Sequence, residues 1–121
     1  GEPRTVMVGR RELFVPRANG RVALFNFHDL CGRALGTADY LKLTQEFDTL
    51  IIVGVPRMGP DRRNEARRFM TLIDALYDRR IQVVIGADAA PEQLYPSGDG
   101  SFEFQRTVSR MIEMQSEHYG S

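Results

Sequence analysis

Arginine residues crowd a short segment that follows an apolar run, and arginine is the side chain best suited to contact phosphate. The apolar run covers residues 49–54. The arginines that follow it are Arg57, Arg62, Arg63, Arg67 and Arg68. Several of them fall where a helix should begin, although the start of a helix favours acidic side chains. This conflict with local stability indicates a functional reason for the arginines, such as stabilising charge during phosphoryl transfer.

A second arginine pair is formed by Arg106 and Arg110, which project from the same side of a helix because they are four residues apart. All of these arginines could instead be ordinary surface side chains, solvated or paired with nearby acids. The acids available for pairing are Asp61, Glu65, Glu103 and Glu113. Exposed ion pairs of this kind contribute at most about 1 kcal/mol to stability. The arginines alone therefore leave both interpretations open.

The sequence lacks the residues that grip a nucleoside triphosphate and its metal ion. A P-loop requires G-x-x-x-x-G-K-[ST], and the chain's lysine, Lys42, lies in no such motif. A strand that holds Mg²⁺ should end in an acid, but the apolar run ends in the segment 54–56, Gly-Val-Pro. Asp88 follows the next apolar run and is weak evidence for a metal on its own. We therefore predict no catalytic residue in this chain.

Metal-binding and nucleophilic sites are also poorly supported by the sequence. His28 and His118 lie far apart, and neither CxxC nor HExxH occurs, so we predict no metal site. Cys31 follows His28 by three residues, which on a helix places a thiol and a base on one face. A half-buried structural thiol beside a surface imidazole is the favoured interpretation. No G-x-S-x-G motif indicates a serine hydrolase.

Composition indicates one globular domain over residues 1–121, with 42% hydrophobic and 26% charged residues. Sixteen basic and 16 acidic side chains give zero formal net charge, so we expect no general nucleic-acid binding. No apolar run approaches the roughly 20 residues that span a bilayer, and no secretory signal is visible. The single cysteine fits a reducing compartment. The chain begins with Gly1 rather than Met, which we interpret as an excised fragment or a processed polypeptide.

The pattern of elements predicts an α/β fold built on a mixed sheet. Runs at 5–8, 12–15 and 21–27 predict an antiparallel meander, with Pro16 ending its second strand. Residues 49–54 and 82–87 predict parallel strands joined by a long helix that opens at Pro60. The first of these strands is continuously apolar, which is typical of a strand covered on both faces.

Shorter elements complete the prediction. A helical turn is expected near 28–32, and a helix that Thr37 caps follows it. Residues 90–95 predict one helical turn and residues 96–101 a loop. A last helix is expected over residues 102–119, with its apolar side toward the core.

Three long strings resemble the C-terminal part of the AFG/ZapE family of P-loop ATPases. They are LCGRALGTADYLKL at 30–43, GPDRRNEARRFMTLIDALYDRR at 59–80, and LYPSGDGSFEFQRTVSRMIEMQSEHY at 94–119. The family comprises cell-division-associated bacterial proteins and mitochondrial matrix proteins. The resemblance implies a longer parent that carries its Walker A and Walker B motifs upstream and uses ATP and Mg²⁺, with no cofactor for this fragment alone. It implies a bacterial cytoplasmic ATPase.

The resemblance also implies roles for the arginines. By analogy with AAA-like ATPases, Arg67, Arg68, Arg106 and Arg110 become candidates for nucleotide contact or arginine fingers. The remaining candidates, Arg57, Arg62 and Arg63, would contact a partner. The fragment would be a degenerate P-loop-NTPase-like unit that supports the nucleotide site of the upstream ATPase domain or couples hydrolysis to movement. The alternative is an interaction module that docks a cell-division or quality-control protein, or a homo-oligomer contact.

Overall fold

The computed structural model describes residues 1–116 and contains one five-stranded sheet in the order β1-β2-β3-β4-β5. The strands are β1 (Glu2–Val8), β2 (Arg11–Asn19), β3 (Val22–Asn26), β4 (Thr49–Val55) and β5 (Gln82–Ala87). The pairs β1/β2 and β2/β3 are antiparallel, and the pairs β3/β4 and β4/β5 are parallel. The predicted mixed sheet, with an antiparallel meander followed by a parallel β-α-β unit, is therefore confirmed.

Helices connect the parallel strands and follow the last one. They are α1 (Phe27–Cys31), α2 (Thr37–Glu46), α3 (Arg63–Arg79) and α4 (Phe104–Met114). Short 3-10 turns at Pro60–Arg62 and Pro91–Gln93 precede α3 and α4. The long helix predicted to open at Pro60 thus begins with a 3-10 turn. The sequence predicts the last helix over residues 102–119, but α4 begins at Phe104 and ends at Met114, with Gln115 as its C-cap. Residues 117–119 of that prediction, with His118, lie outside the described part of the chain.

The hydrophobic core lies on one face of the sheet only. Ala23, Phe25, Leu50 and Ile52 are buried beneath the helices, whereas residues between them in sequence point the other way. The expectation that β4 is covered on both faces is wrong for this chain, because Val53 is 38% exposed. The reason is topological. Both crossovers advance in the same direction across the sheet, and right-handed crossovers that do so place their helices on the same face.

Pro16 does not end β2, contrary to the sequence prediction, and the strand continues to Asn19. The pairing of β2 with β1 shifts register opposite this position, between Glu2 and Arg4. The pairing of β2 with β3 begins only at Arg17. Pro16 therefore falls where neither ladder needs an amide donor, and proline is tolerated in strands at such irregularities.

The helices α1 and α2 begin with caps that the sequence only partly indicated. The Asn26 side chain accepts a hydrogen bond from the Asp29 N–H, and the Asp29 carboxylate accepts one from the Asn26 N–H. For α2, the Asp39 carboxylate accepts a 2.8 Å hydrogen bond from the Gly36 N–H. Gly36 is the N-cap and Thr37 the first helical residue, so the prediction that Thr37 caps α2 is wrong. The acid in the first turn supplies the capping interaction instead.

An aromatic chain fixes α3 beneath the sheet. The Phe69 ring lies 6.0 Å from the Phe27 ring on α1 and 6.2 Å from the Phe104 ring on α4. Phe104 also packs edge-on against Tyr95, with 5.7 Å between ring centroids. Such pairs add to the free energy gained by burying their area. Because α3 is anchored at Phe69, the backbone positions of the arginines on the same helix are fixed.

A bulge near the end of β4 depends on Gly54. Between the pairs Ile52–Ile85 and Val55–Ala87, β4 contains one residue more than β5. Gly54 takes a φ of 71° within this bulge, a value that glycine adopts without a Cβ clash. The extra residue returns the Val55 side chain to the core, where it is fully buried.

Replacing Gly54 tests this account of the bulge. We expect Gly54→Ala to lower the free energy of unfolding by about 1–2 kcal/mol, the cost of a left-handed conformation for a residue with a Cβ. The matched control is Gly86→Ala on the neighbouring strand, where an added Cβ would meet Val53 Cα at 3.7 Å, an ordinary contact. Urea unfolding would measure both variants. Equal stability of the two variants would contradict the proposed role of the bulge.

Candidate functional site

The candidate site lies where the parallel strands end. The strands β3, β4 and β5 present their carboxyl ends at one edge of the sheet, and the loop 56–59 leads from β4 toward α3. Ligand crevices in open α/β sheets form at this edge, at the point where the strand order reverses. The order β3-β4-β5 contains no reversal. The edge therefore offers loops and helix starts, without the crevice that seats a nucleotide in doubly wound folds.

The segment 94–99 holds the loop 56–59 in place. The Met58 N–H donates a 2.7 Å hydrogen bond to the Leu94 carbonyl, and the Met58 side chain is buried. The Tyr95 hydroxyl donates a 2.7 Å hydrogen bond to the Asp99 carbonyl. A Cβ at Gly98 would lie 2.9 Å from Pro60 Cα, so the two loops touch without space for a side chain. Arg57, the arginine of this loop, is thus displayed from a supported backbone.

Arg57, Arg62 and Arg63, the candidates for partner contact, have different surroundings. Arg57 and Arg63 are exposed and form no ion pair or hydrogen bond within residues 1–116. Arg62 donates two hydrogen bonds to the Glu65 carboxylate, at 2.9 and 3.0 Å. These bonds lower the pKa of Glu65, because they favour its charged form. Two of the three guanidinium groups are therefore available to a partner.

Arg67 and Arg68 point to different neighbours although they are adjacent on α3. Arg67 Nη2 lies 3.8 Å from Asp99 Oδ2, and both side chains are 69% exposed. Arg68 Nη1 donates a 3.1 Å hydrogen bond to the Cys31 carbonyl at the end of α1. A cation suits the C-terminal end of a helix, where carbonyls lack intrahelical donors. Arg68 thus ties α3 to α1, while the Arg67 pair is loose and solvated.

Arg106 and Arg110 both bind Asp74, which joins α4 to α3. Arg106 Nη2 lies 3.4 Å from Asp74 Oδ2, and Arg110 Nη1 donates to Asp74 Oδ1. The Arg110 guanidinium also lies over the Tyr77 ring, 4.7 Å from its centroid. Such a contact adds cation–π attraction to the ion pair.

The four candidates for nucleotide contact therefore do not converge on one point. Arg67 and Asp74 are seven residues apart, so they share one side of α3 and are separated by about 10 Å along its axis. Arg106 and Arg110 meet that same side through Asp74, whereas Arg68 faces α1. The structure places these residues without assigning a ligand to them, so their roles stay predictions.

Asp74 and Asp99 are the charged residues that the sequence analysis missed. The acids proposed from the sequence as partners of the arginines were Asp61, Glu65, Glu103 and Glu113. Of these, Glu65 forms the pair with Arg62. Glu113 instead accepts a 2.8 Å hydrogen bond from the Tyr77 hydroxyl. Asp74 carried one usable signal, since it lies one residue after Ile73 of the buried stripe of α3, beside the seam with α4.

One thiol and one carboxylate, those of Cys31 and Asp39, are buried. Cys31 is fully buried, and burial raises the pKa of its thiol to about 12, so a thiolate does not form near neutral pH. His28, its proposed base, is exposed. The Asp39 carboxylate is buried and accepts a hydrogen bond from Arg11 of the β1–β2 hairpin. Cys31 is therefore a structural thiol beside an exposed imidazole, as favoured from the sequence, but it is fully buried rather than half-buried.

Among residues 1–116, no group of three or more His, Cys, Asp or Glu side chains could hold a metal ion. Within the same residues, no helix has both the length and the apolar character that crossing a membrane requires.

Comparison with known proteins identifies the family. Residues 2–121 match the AFG1-like ATPase family. The chain is 36% identical to Lactation elevated protein 1 homolog B of Danio rerio, in an alignment that covers 97% of this chain and 30% of the relative. It is 35% identical to the Cell division protein ZapE of Escherichia coli, covering 95% of this chain and 31% of that protein. The chain belongs to the AFG1-like ATPase family.

The matched relatives are much longer than this chain. It spans 30% and 31% of the lengths of the zebrafish and bacterial proteins. A third relative, Uncharacterized protein C115.02c of Schizosaccharomyces pombe, is 35% identical over 76% of this chain and 20% of its own length. No solved structure matches the chain. The family membership that the three sequence strings indicated is thereby confirmed.

Removing the carboxylate that the two α4 arginines share tests the α3–α4 seam. We expect Asp74→Ala to lower the free energy of unfolding by about 1 kcal/mol, a modest value because Asp74 and Arg110 remain partly solvated. The effect should shrink in concentrated salt, which screens partly exposed pairs. The control is Asp78→Ala, one turn further along α3, where the side chain is exposed. An Asp74→Ala variant as stable as the control would contradict the role of Asp74 in joining α3 to α4.

Thiol labelling tests the burial of Cys31. At pH 8 the pKa of about 12 leaves almost no thiolate, and the side chain has no exposed surface. We expect iodoacetamide to modify Cys31 slowly in the folded chain and rapidly in urea, because the thiolate is the attacking species. Mass spectrometry would follow both reactions. Equal rates in the two conditions would show that the thiol is accessible and could act as a nucleophile.

Proposed function

We propose that this chain is the C-terminal, non-hydrolytic portion of an ATP-hydrolysing AFG1-like ATPase. The observation that carries the proposal is the family match over residues 2–121, together with a sequence that contains no P-loop motif. Triphosphate binding needs backbone amides, a lysine and a metal-holding acid. In this proposal those groups, with ATP and Mg²⁺, belong to the upstream ATPase domain of the same polypeptide. This portion supports the nucleotide site or couples hydrolysis to a protein partner.

Arg67 is the residue best suited to reach the nucleotide in such an arrangement. Its pair with Asp99 is long and exposed on both sides, so exchanging the aspartate for a phosphate costs little. A phosphate offers a guanidinium group bidentate, charge-assisted hydrogen bonds. Arg68 and Arg110 are bound to the Cys31 carbonyl and to Asp74, and in this proposal they keep α3 in place for Arg67.

An interaction module is the second candidate function, in which the chain docks a protein without touching nucleotide. Arg57 and Arg63 favour it, because both are exposed and unpaired within residues 1–116. Arg57 lies in the supported loop 56–59, and Arg63 is the first residue of α3. An acidic partner surface would satisfy both groups. The similarity to a bacterial cell division protein supports a division partner and a bacterial cytoplasmic location. A homo-oligomer contact at the same arginines is a variant of this candidate.

Phosphate release from ATP by the purified chain shows whether it is an inactive portion of an ATPase or an enzyme on its own. We expect the 121-residue chain to show no ATP turnover and no Mg²⁺-dependent ATP binding, since it lacks the anchoring groups. A longer polypeptide that contains this chain and the upstream domain should hydrolyse ATP. Steady phosphate release by the purified chain would overturn the proposal.

Arginine variants of the longer polypeptide then distinguish the two candidates. Arg67→Ala should lower kcat at least about tenfold if Arg67 meets phosphate in the transition state. Arg63→Ala should leave ATP turnover intact in either case. The control is Arg79→Ala, at the opposite end of α3 and exposed. Unchanged turnover in Arg67→Ala, with loss of partner binding in Arg63→Ala, would favour the interaction module over the nucleotide-site role.

A further inference from the structure

The sheet has an apolar surface opposite the helices, which we call the open face. Its large apolar side chains are those of Phe14, Val22, Leu24, Ile51, Val53 and Val84. Register places three of them in one row, because Leu24 pairs with Ile51 and Ile51 pairs with Val84. Phe14 is 52% exposed and Val84 56%. Leu24 and Ile51 in this row are half-buried. The connecting helices pack on the other face, so no second layer within residues 1–116 covers the row.

A bare face is unusual for the parallel part of a sheet. Parallel strands occur almost only where both faces are covered, and their sequences are then continuously apolar. The segments 50–53, Leu-Ile-Ile-Val, and 83–85, Val-Val-Ile, have this composition. A strand meant to face water on one side would alternate apolar and polar residues instead. The sequence of β4 and β5 is therefore that of strands with a second apolar layer.

We propose that the second layer is the preceding part of the same polypeptide, which docks its own apolar surface on the open face. This inference rests on the proposed function, in which the chain is the C-terminal portion of a longer ATPase. The relatives leave ample chain for such a layer, since the aligned region is 30% of one and 31% of another. The upstream ATPase domain would thus be joined to this one by a packed interface as well as by the backbone.

The position of Gly1 fits this arrangement. A shallow pocket of about 130 Å³ at one end of the open face is lined by Gly1 together with Arg17, Val22 and Leu24. In the longer polypeptide, residues preceding Gly1 enter at this pocket, directly beside the apolar row. A short connection then suffices to lay the next element across β3, β4 and β5, and short connections between packed elements are the rule in compact proteins.

Polar residues surround the apolar row and give it the pattern of an interface. Val22 pairs with Thr49, and Thr49 pairs with Gln82, so the row next to the apolar one is largely polar. On the β2 side, Arg17 pairs with Leu24, so the apolar row ends there at a charged residue. An apolar centre with a polar border is the usual anatomy of docking surfaces between domains and proteins. The other possible occupant of the open face is a second copy of this chain, which would protect the face in a concentration-dependent way.

Site-specific labelling tests the proposal. Val53→Cys and Val84→Cys place thiols on the open face, and Asp78→Cys places a control thiol on the exposed end of α3. The native thiol, Cys31, is fully buried and contributes little background. In the 121-residue chain all three introduced thiols should react rapidly with a maleimide. In the longer polypeptide, the thiols at 53 and 84 should react at least about tenfold more slowly, as expected for groups reached only through local opening. The thiol at 78 should keep its rate.

Two labelling results would contradict the proposal. Equal labelling at 53 and 84 in both proteins means that no layer covers the open face. Protection in the 121-residue chain that grows with its concentration assigns the face to a second copy. If a substituted protein does not fold, hydroxyl-radical footprinting of the unsubstituted proteins supplies the same comparison at Phe14 and Val53. ATP turnover is measured on the same longer polypeptide. Rapid labelling at 53 and 84 with intact turnover would contradict the interface and support the proposed function. Slow labelling without turnover would support the interface and contradict the proposed function.

Discussion

The same-side placement of both crossovers is the constraint on which the rest of this structure depends. Because β3, β4 and β5 follow one another across the sheet, right-handed connections put their helices on a single face. That layer buries Phe25, Ile52 and Phe69 completely, and within residues 1–116 no second layer covers the open face. The same order lacks the strand reversal at which open α/β sheets bind nucleotides. One topological choice thus accounts for the core, the open face and the absence of a strand reversal within residues 1–116.

Anchoring of α3 turns a run of arginines into groups with distinct roles. Phe69 holds the helix between α1 and α4, and Arg68 ties it to the end of α1. Asp74 then gathers the two arginines of α4. Arg67 remains in a loose, solvated pair with Asp99, which is the arrangement expected of a guanidinium that can change partners. Among these arginines, Arg68, Arg106 and Arg110 therefore join helices to one another, and Arg67 remains available for binding.

Sequence alone predicted most of the fold and less of the candidate site. Apolar periodicity and turn residues located the strands and helices, because burial on one face imposes a period on each element. They missed the continuation of β2 through Pro16, since the register shift that tolerates proline is a tertiary property. The pairing of Arg106 and Arg110 with Asp74 was also missed, because nothing in the spacing of α4 identifies the facing residue of α3. A degenerate P-loop-like origin stays a prediction.

The apolar run of β4 is the most informative disagreement between sequence and structure. Its composition predicts cover on both faces, and the chain supplies it on one. We attribute the difference to the part of the polypeptide that lies outside this chain, as the lengths of the relatives allow. A structure of the longer polypeptide tests this most directly. We expect Val53 and Val84, now 38% and 56% exposed, to be almost fully buried there. Solvent-facing side chains at both positions would contradict it.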